Sequence, residues 1–529
     1  MKLALFLKNA LLLIFVLCSL VTSCKRQENQ PIQESCVRTP KPDSTITVYP
    51  DTAYQSVENL DFTIQYMDSS ISGEITNLQD LYAHASGILS FRGGSYRDAN
   101  FQGKITGTPN NIAIDWIFRT DYDTIQTKYG TWGGGTGWTG QPLYVHWSDS
   151  LFQRFKKMSP ALTSSFGKEE IIVGSLCGKV YFINYQTGDS SRRAFNVHNT
   201  IKGTPSLDPT FNGNLYIGQG IPLRKPFGAL VMNLFTHQQI HFFAEDPKAW
   251  RRWDAYDSSP IVVGNFMFRL GENGTIYKYL IKNGNIEIHS TMRYRVKGKW
   301  TAGIESSLAI FANYGYFSDN QGNIICFNLN TLQPVWHYNN HDDSDATPVI
   351  EVENGTPYLY SGCEVDKQGE KGYSYFVKIN GRNGKRIWED TISCQRAFFD
   401  NKWFDGGIFA TPLPGKGNCQ NLIFVNVCTH FPLLKGDLVA IDKQTGKIIY
   451  RVPLKHYAWS SPIAIYNEKN ELFIFTGDTA GNVYLIDGKS GKIIYTRYIG
   501  NNFESSPIVI DNHVVIGSRG REIYKLSIL

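Results

Sequence analysis

Eight positions, at one fixed offset in the chain, carry the groups best placed for polar chemistry. Three residues before a recurring proline, or before Leu308 in its place, stand Thr139, Lys202, Asp257, Glu305, Asp345, Phe409, Trp459 and Glu504. Four of these are carboxylates and one is an ammonium. Carboxylates brought together repel, so a cluster calls for a cation, a shared proton or a polar ligand. The simpler assignment satisfies each one inside its own repeat, and the spacing alone leaves both open.

Aromatic residues gather in the same segments: Trp138, Trp253, Tyr256, Trp300, Phe398, Phe399, Trp403, Trp459 and Phe503. Beside them lie Asp254, Lys299, His341, Asp342, Asp343, Asp400, Asp405 and His456. Flat rings next to carboxylates suit a sugar, and Trp and Tyr equally anchor protein partners. Packing between repeats is the third use of a Trp. The candidate ligand set is therefore Lys202, Asp257, Glu305, Asp345, Glu504, Trp138, Trp253, Trp300, Trp403 and Trp459, for a protein or a glycan. No catalytic set is assigned, since no Gly-x-Ser-x-Gly, His-Glu-x-x-His or Walker pattern occurs. Gly135, Gly137 and Gly140 match G-x-G-x-x-G, but no helix-forming segment follows. They read as a tightly turned loop displaying Trp132 and Trp138.

The offset belongs to a repeat. Its copies are Thr139-Gly-Gln-Pro142, Lys202-Gly-Thr-Pro205, Asp257-Ser-Ser-Pro260 and Glu305-Ser-Ser-Leu308. Four more follow: Asp345-Ala-Thr-Pro348, Phe409-Ala-Thr-Pro412, Trp459-Ser-Ser-Pro462 and Glu504-Ser-Ser-Pro507. Each copy leads into apolar strands separated by Gly, Asn-Gly or Thr-Gly-Lys turns, which are hairpin signals. Four antiparallel strands in a unit of ~40–45 residues make a propeller blade. The chain is expected to be all-β, an eight-bladed β-propeller with four-stranded antiparallel blades. The last copy holds three strands, and Ile112–Thr120 supplies the fourth, closing the ring between the N- and C-terminal strands of one blade.

The segment Leu11–Leu17 is too short to span a bilayer but fits the apolar core of an export signal. Val21-Thr22-Ser23-Cys24 resembles a lipobox, which makes Cys24 the lipidation site. The expected division is a lipoprotein signal peptide over 1–23, anchor and linker over 24–60, an extension packing on the propeller over 61–111, and the propeller over 112–529. Past Cys24 seven cysteines remain, without a Cys-x-x-Cys pair, and no bridge is assigned. A balance of 52 basic and 47 acidic residues leaves net charge +5, which excludes a nucleic-acid footprint. A chain that is 13% aromatic and 19% charged is not disordered.

Gly384-Lys385-Arg386-Ile387-Trp388 resembles the blade-closing motif of the PQQ-repeat, or quinoprotein alcohol dehydrogenase-like, eight-bladed propellers. Trp336 and Trp116 stand at similar places, Tyr450 and Tyr495 replace the Trp in two repeats, and Phe91-Arg92-Gly93-Gly94 with Arg97 resembles the entry before the first blade. The resemblance covers about residues 85 to 529. It implies that Trp116, Trp336 and Trp388 dock against neighbouring blades. Quinoproteins of this fold hold PQQ with calcium, many over adjacent cysteines. This chain has no Cys-Cys pair and no recognisable Glu-Asn-Asp calcium set, so no cofactor is expected, PQQ with calcium being the alternative for an alcohol or sugar oxidoreductase. Lipid-anchored relatives include the propeller subunit of the outer-membrane β-barrel assembly machine. The implied setting is a Gram-negative cell envelope, at the outer membrane, in a protein complex.

Overall fold

The computed structural model describes residues 56–529, so the signal segment, Cys24 and Cys36 lie outside the described residues. Eight antiparallel four-stranded blades succeed one another along the chain, three of them extended by a fifth strand from the residues before the ring: Leu60–Tyr66 on the sheet of Phe266–Gly271, Gly87–Ile88 on that of Leu143–His146 and, in parallel, Gly103–Lys104 on that of Ile463–Tyr466. Their innermost strands are Leu143–His146 (blade 1), Ser206–Leu207 (blade 2), Ile261–Val263 (blade 3), Ala309–Phe311 (blade 4), Val349–Glu353 (blade 5), Leu413–Pro414 (blade 6), Ile463–Tyr466 (blade 7) and Ile508–Ile510 (blade 8). This is the expected propeller. The middle strands are buried on both faces, as in Phe266–Gly271 and Asn323–Asn328, because each blade is covered by two neighbours. Outer strands such as Ile448–Leu454 alternate between buried and open positions. Asp149–Met158 is the single α-helix among the described residues, and no helix there is long and apolar enough to cross a membrane.

Ring closure follows the expected pairing. Ile112–Arg119 runs antiparallel to Glu522–Ile528, with Ile114 opposite Leu526 and, past a bulge, Trp116 opposite Lys525. Two devices then tie blade to blade. Trp116 Nε1 donates to the carbonyl of Tyr185 at 3.0 Å, Trp336 Nε1 to Gly381 at 2.9 Å and Trp388 Nε1 to Lys443 at 2.9 Å, in each case a turn of the following blade. Tyr450 does the same through its hydroxyl to Gly488 at 2.6 Å. The receiving turn needs glycine: at Gly446 (φ +75°) a Cβ would stand 2.7 Å from the Trp388 ring. In blade 1 a buried arginine takes this place, Arg192 donating to the carbonyl of Leu234 at 3.2 Å.

The second device explains the Ser/Thr before the repeat proline. The hydroxyls of Ser307 and Thr347 accept from the backbone N–H of Ser259 and Ser307, both at 2.9 Å. Ser461 and Ser506 accept likewise from Thr411 and Ser461, at 3.0 and 3.1 Å. The repeat is thus a belt of hydrogen bonds around the axis.

Residues before the ring do three things. Leu60–Tyr66 adds a fifth strand to the outer edge of blade 3. The chain then passes the Gly264 turn, and Tyr82 bonds Ser206 and the N–H of Val262. Finally Phe91-Arg92 and Arg97 occupy the axis. Arg92 donates to the carbonyls of Pro412 (3.2 Å) and Pro462 (2.9 Å), and Arg97 to that of Leu308 (2.8 Å). Carbonyls of the repeat proline position point inward, and this segment satisfies them. The sequence implies an extension packed on the ring; the axial plug is an addition to it. The six cysteines among the described residues are buried and free.

Candidate functional site

Each inner strand runs away from its repeat proline. The connections between blades, and the turns between second and third strands, therefore share one face, the mouth. Six of the ten candidate residues converge there around a cavity of about 30 Å³: Trp138, Asp257, Glu305, Asp345 and Trp459 line it, and Lys202 reaches them from its edge. Trp138 is aimed inward by two consecutive left-handed residues, itself (φ +55°) and Thr139 (φ +60°), a conformation unfavourable by about 1–2 kcal/mol per residue. Its indole donates to Glu305 Oε2 at 2.8 Å and meets Trp459 edge-on at 5.3 Å, while Trp459 stacks on Phe409 at 4.9 Å. The glycine loop before it presses on blade 8, where a Cβ at Gly135 would lie 1.9 Å from the carbonyl of Ser518.

Lys202 is the cation of this cup. Its ammonium contacts Asp257 Oδ2, lies 3.6 Å from Glu305 and stands 4.3 Å from the centre of the Trp138 ring. Burial works against its charge, but Asp257, Glu305 and Glu272 outweigh that and raise its pKa above the ordinary lysine range. Glu305 is held low: burial opposes ionisation, yet Lys202 and the Trp138 N–H prevail.

Three residues outside the candidate set, Glu272, Glu364 and Asp343, complete the acid groups. Glu272 accepts from Trp253 Nε1 at 2.7 Å, and its carboxyl is pushed well up by burial and then by Glu305. Glu364 is buried, its Oε1 finds no hydrogen-bond donor, and burial, then Asp345, raises it well above the usual range. Asp257, Glu272 and Glu305 bring one oxygen each within 4.8 Å of one another, as do Asp343, Asp345 and Glu364. In the second group only Asp343 has a lysine, Lys367 at 2.9 Å; burial still pushes Asp343 up to about 7. Glu272 follows its strand at the place held by Asp319 and Asp478 in blades 4 and 7. Those two close their own turns onto Asn323 and Asn482, four residues on. Glu272 has Ile276 at that offset, which was the readable signal that its carboxylate is left for the mouth.

The other candidates lie elsewhere. Glu504 faces Arg519 at 3.0 Å and Asn502 at 2.8 Å. Trp253 stands behind Glu272 against Tyr129. Trp300 is 58% exposed under Arg295, and Trp403 sits on a protruding hairpin beside Phe398; neither lines the cavity. Of these only Glu504 stands at the repeat offset, where Arg519 engages it; Trp253, Trp300 and Trp403 precede the offset residues Asp257, Glu305 and Phe409 by four, five and six positions.

An oxygen-only donor set is what a hard divalent cation takes. A PQQ does not fit these residues. About 30 Å³ holds a water or two, far less than a fused tricyclic quinone. Its three carboxylates would also meet Asp257, Glu305 and Asp345, with Lys202 already engaged.

Residues 434–529 match a family profile described as outer membrane protein assembly factor BamB. No curated protein matches the chain. Among solved structures, a europium-containing methanol dehydrogenase aligns with TM-score 0.58 at 11% identity, over 84% of this chain and 98% of that one. Quinohemoprotein alcohol dehydrogenase from Comamonas testosteroni aligns with TM-score 0.57 at 12% identity, over 84% and 80%. BamB from Moraxella catarrhalis gives TM-score 0.48 at 15% identity, over 79% and 98%. The fold is that of the PQQ-like propellers.

Proposed function

We propose that this chain is a lipid-anchored envelope propeller, held through Cys24, that serves as a binding or scaffold module in a protein complex at the outer membrane. The observation that carries the reading is the filled axis. Arg92 and Arg97 occupy the channel, and Trp138, Phe409 and Trp459 line the mouth above them, so the cavity at the axis is too small for a PQQ. The match of the last blades to an assembly-factor family supports a protein partner. A glycan finds less support, since Trp459 stacks on Phe409 and the Trp138 ring already carries Lys202. Within the mouth, the acid group Asp343, Asp345 and Glu364, of which only Asp343 has a lysine, suits a cationic side chain of a partner.

The test is a photo-reactive residue in place of Tyr129, the exposed ring that covers Trp253, in cells carrying the full chain. A specific protein adduct is expected, weakened by Asp345→Asn with Glu364→Gln. Dye reduction by the purified chain with PQQ and calcium, and no adduct, would replace this reading with an oxidoreductase. Separately, Cys24→Ala is expected to release the chain from the membrane fraction.

A further inference from the structure

We propose that the mouth face is also a membrane-docking surface, whose occupant is the headgroup–acyl boundary of an anionic bilayer. This rests on the lipid-anchored reading above. Every exposed Phe and Trp among the described residues (Phe398, Phe399, Phe431, Trp300 and Trp403) lies on this one face. Trp300 is on the connection between blades 3 and 4. Phe398, Phe399 and Trp403 are on the hairpin Ala397–Phe399/Lys402–Phe404 between blades 5 and 6. Phe431, 77% exposed, is on the turn joining Leu422–Val427 to Gly436–Asp442 in blade 6. Hairpin and turn stand side by side, since Gln395 donates from its backbone to Thr429 at 3.1 Å and from its side chain to His430 at 2.8 Å.

Exposed apolar groups gathered this way mark an interaction site, and two observations select a bilayer. The first is charge. Lys297, Lys299 and Lys402 are exposed on the same loops and enter no ion pair among the described residues, against a single exposed carboxylate there, Asp400. Protruding aromatic rings interleaved with free lysines match an interface that is apolar below and anionic above. The second is where the chain arrives. Leu60 pairs with Val296, and Lys297 donates to the carbonyl of Asn59 at 2.9 Å, so the N-terminal segment reaches the ring at the mouth end of blade 3. About 35 residues separate Cys24 from Asn59, so an anchor on Cys24 joins the ring on the side that bears the aromatic loops and not on the opposite one.

The full chain carrying Cys24→Ala, purified without acyl groups, is to be sedimented with vesicles of phosphatidylglycerol and phosphatidylethanolamine and with vesicles of phosphatidylcholine. It should pellet with the anionic vesicles and much less with the neutral ones. Phe398→Ser, Phe399→Ser and Trp403→Ser together should lower the bound fraction by about tenfold, with an unchanged circular dichroism spectrum. Lys299→Glu with Lys402→Glu should remove the anionic preference. No sedimentation with either vesicle, or sedimentation that ignores the serine variant, overturns the proposal, as does a photo-reactive residue at Phe399 that captures protein and not lipid in cells. Absence of acyl groups on the wild-type Cys24 by mass spectrometry would remove the anchor while leaving the vesicle result to stand or fall alone.

Discussion

Arg92 donates a hydrogen bond to the carbonyl of Pro462 at 2.9 Å, joining residues 370 apart in the chain. With its second bond, to Pro412, it holds the N-terminal segment in the axis of the ring. The mouth therefore has a floor, and a ligand entering there meets a cup and not a pore.

Arg92→Met keeps the bulk of the side chain and removes both donors. Two buried carbonyls then lack partners, each worth about 1–3 kcal/mol. The unfolding midpoint should fall, and limited proteolysis should cut within 82–100, which the wild type protects.

Loss of one belt hydroxyl should be milder. Ser307→Ala leaves the N–H of Ser259 unpaired between blades 3 and 4 and should cost about 1–2 kcal/mol. Urea denaturation compares it with Trp388→Ala, which leaves a cavity against blade 6 and should cost about 3–5 kcal/mol.

Lys202→Met removes the ammonium between Asp257 and Glu305. A buried pair broken on one side costs about 3–5 kcal/mol at neutral pH. The loss should shrink near pH 4, where the stranded carboxyls protonate, so stability measured at pH 7 and pH 4 distinguishes charge from packing.

The second acid group sets a pH slope. Folding raises Asp343 to about 7 and Glu364 well above its ordinary value, so the folded state binds more protons than the unfolded one between about pH 4 and 7. Stability from these groups is full below the unfolded carboxyl range and is lost as pH rises toward 7. Glu364→Gln should raise the urea midpoint at pH 7, leave it nearly unchanged at pH 4, and flatten the slope between them.

The ring is legible in the chain. Strand periodicity, the turn glycines and eight copies of one element specify blades, since alternating apolar strands bury both faces by stacking in a circle, and Ile112–Thr120 was recognisable as the missing strand. The repeat also implies that residues three before each proline face the mouth, which brought Lys202, Asp257, Glu305 and Asp345 together. Which of these groups satisfy one another emerged on folding. Lys202 reaches across to carboxylates of blades 3 and 4, Glu504 turns to Arg519, and Arg92 fills the axis. Such pairings depend on side-chain reach across blade boundaries and leave no period in the chain. Trp300 and Trp403 never stood at that offset: they precede Glu305 and Phe409 by five and six residues, so the repeat that carries its own residues to the mouth says nothing of where these two go.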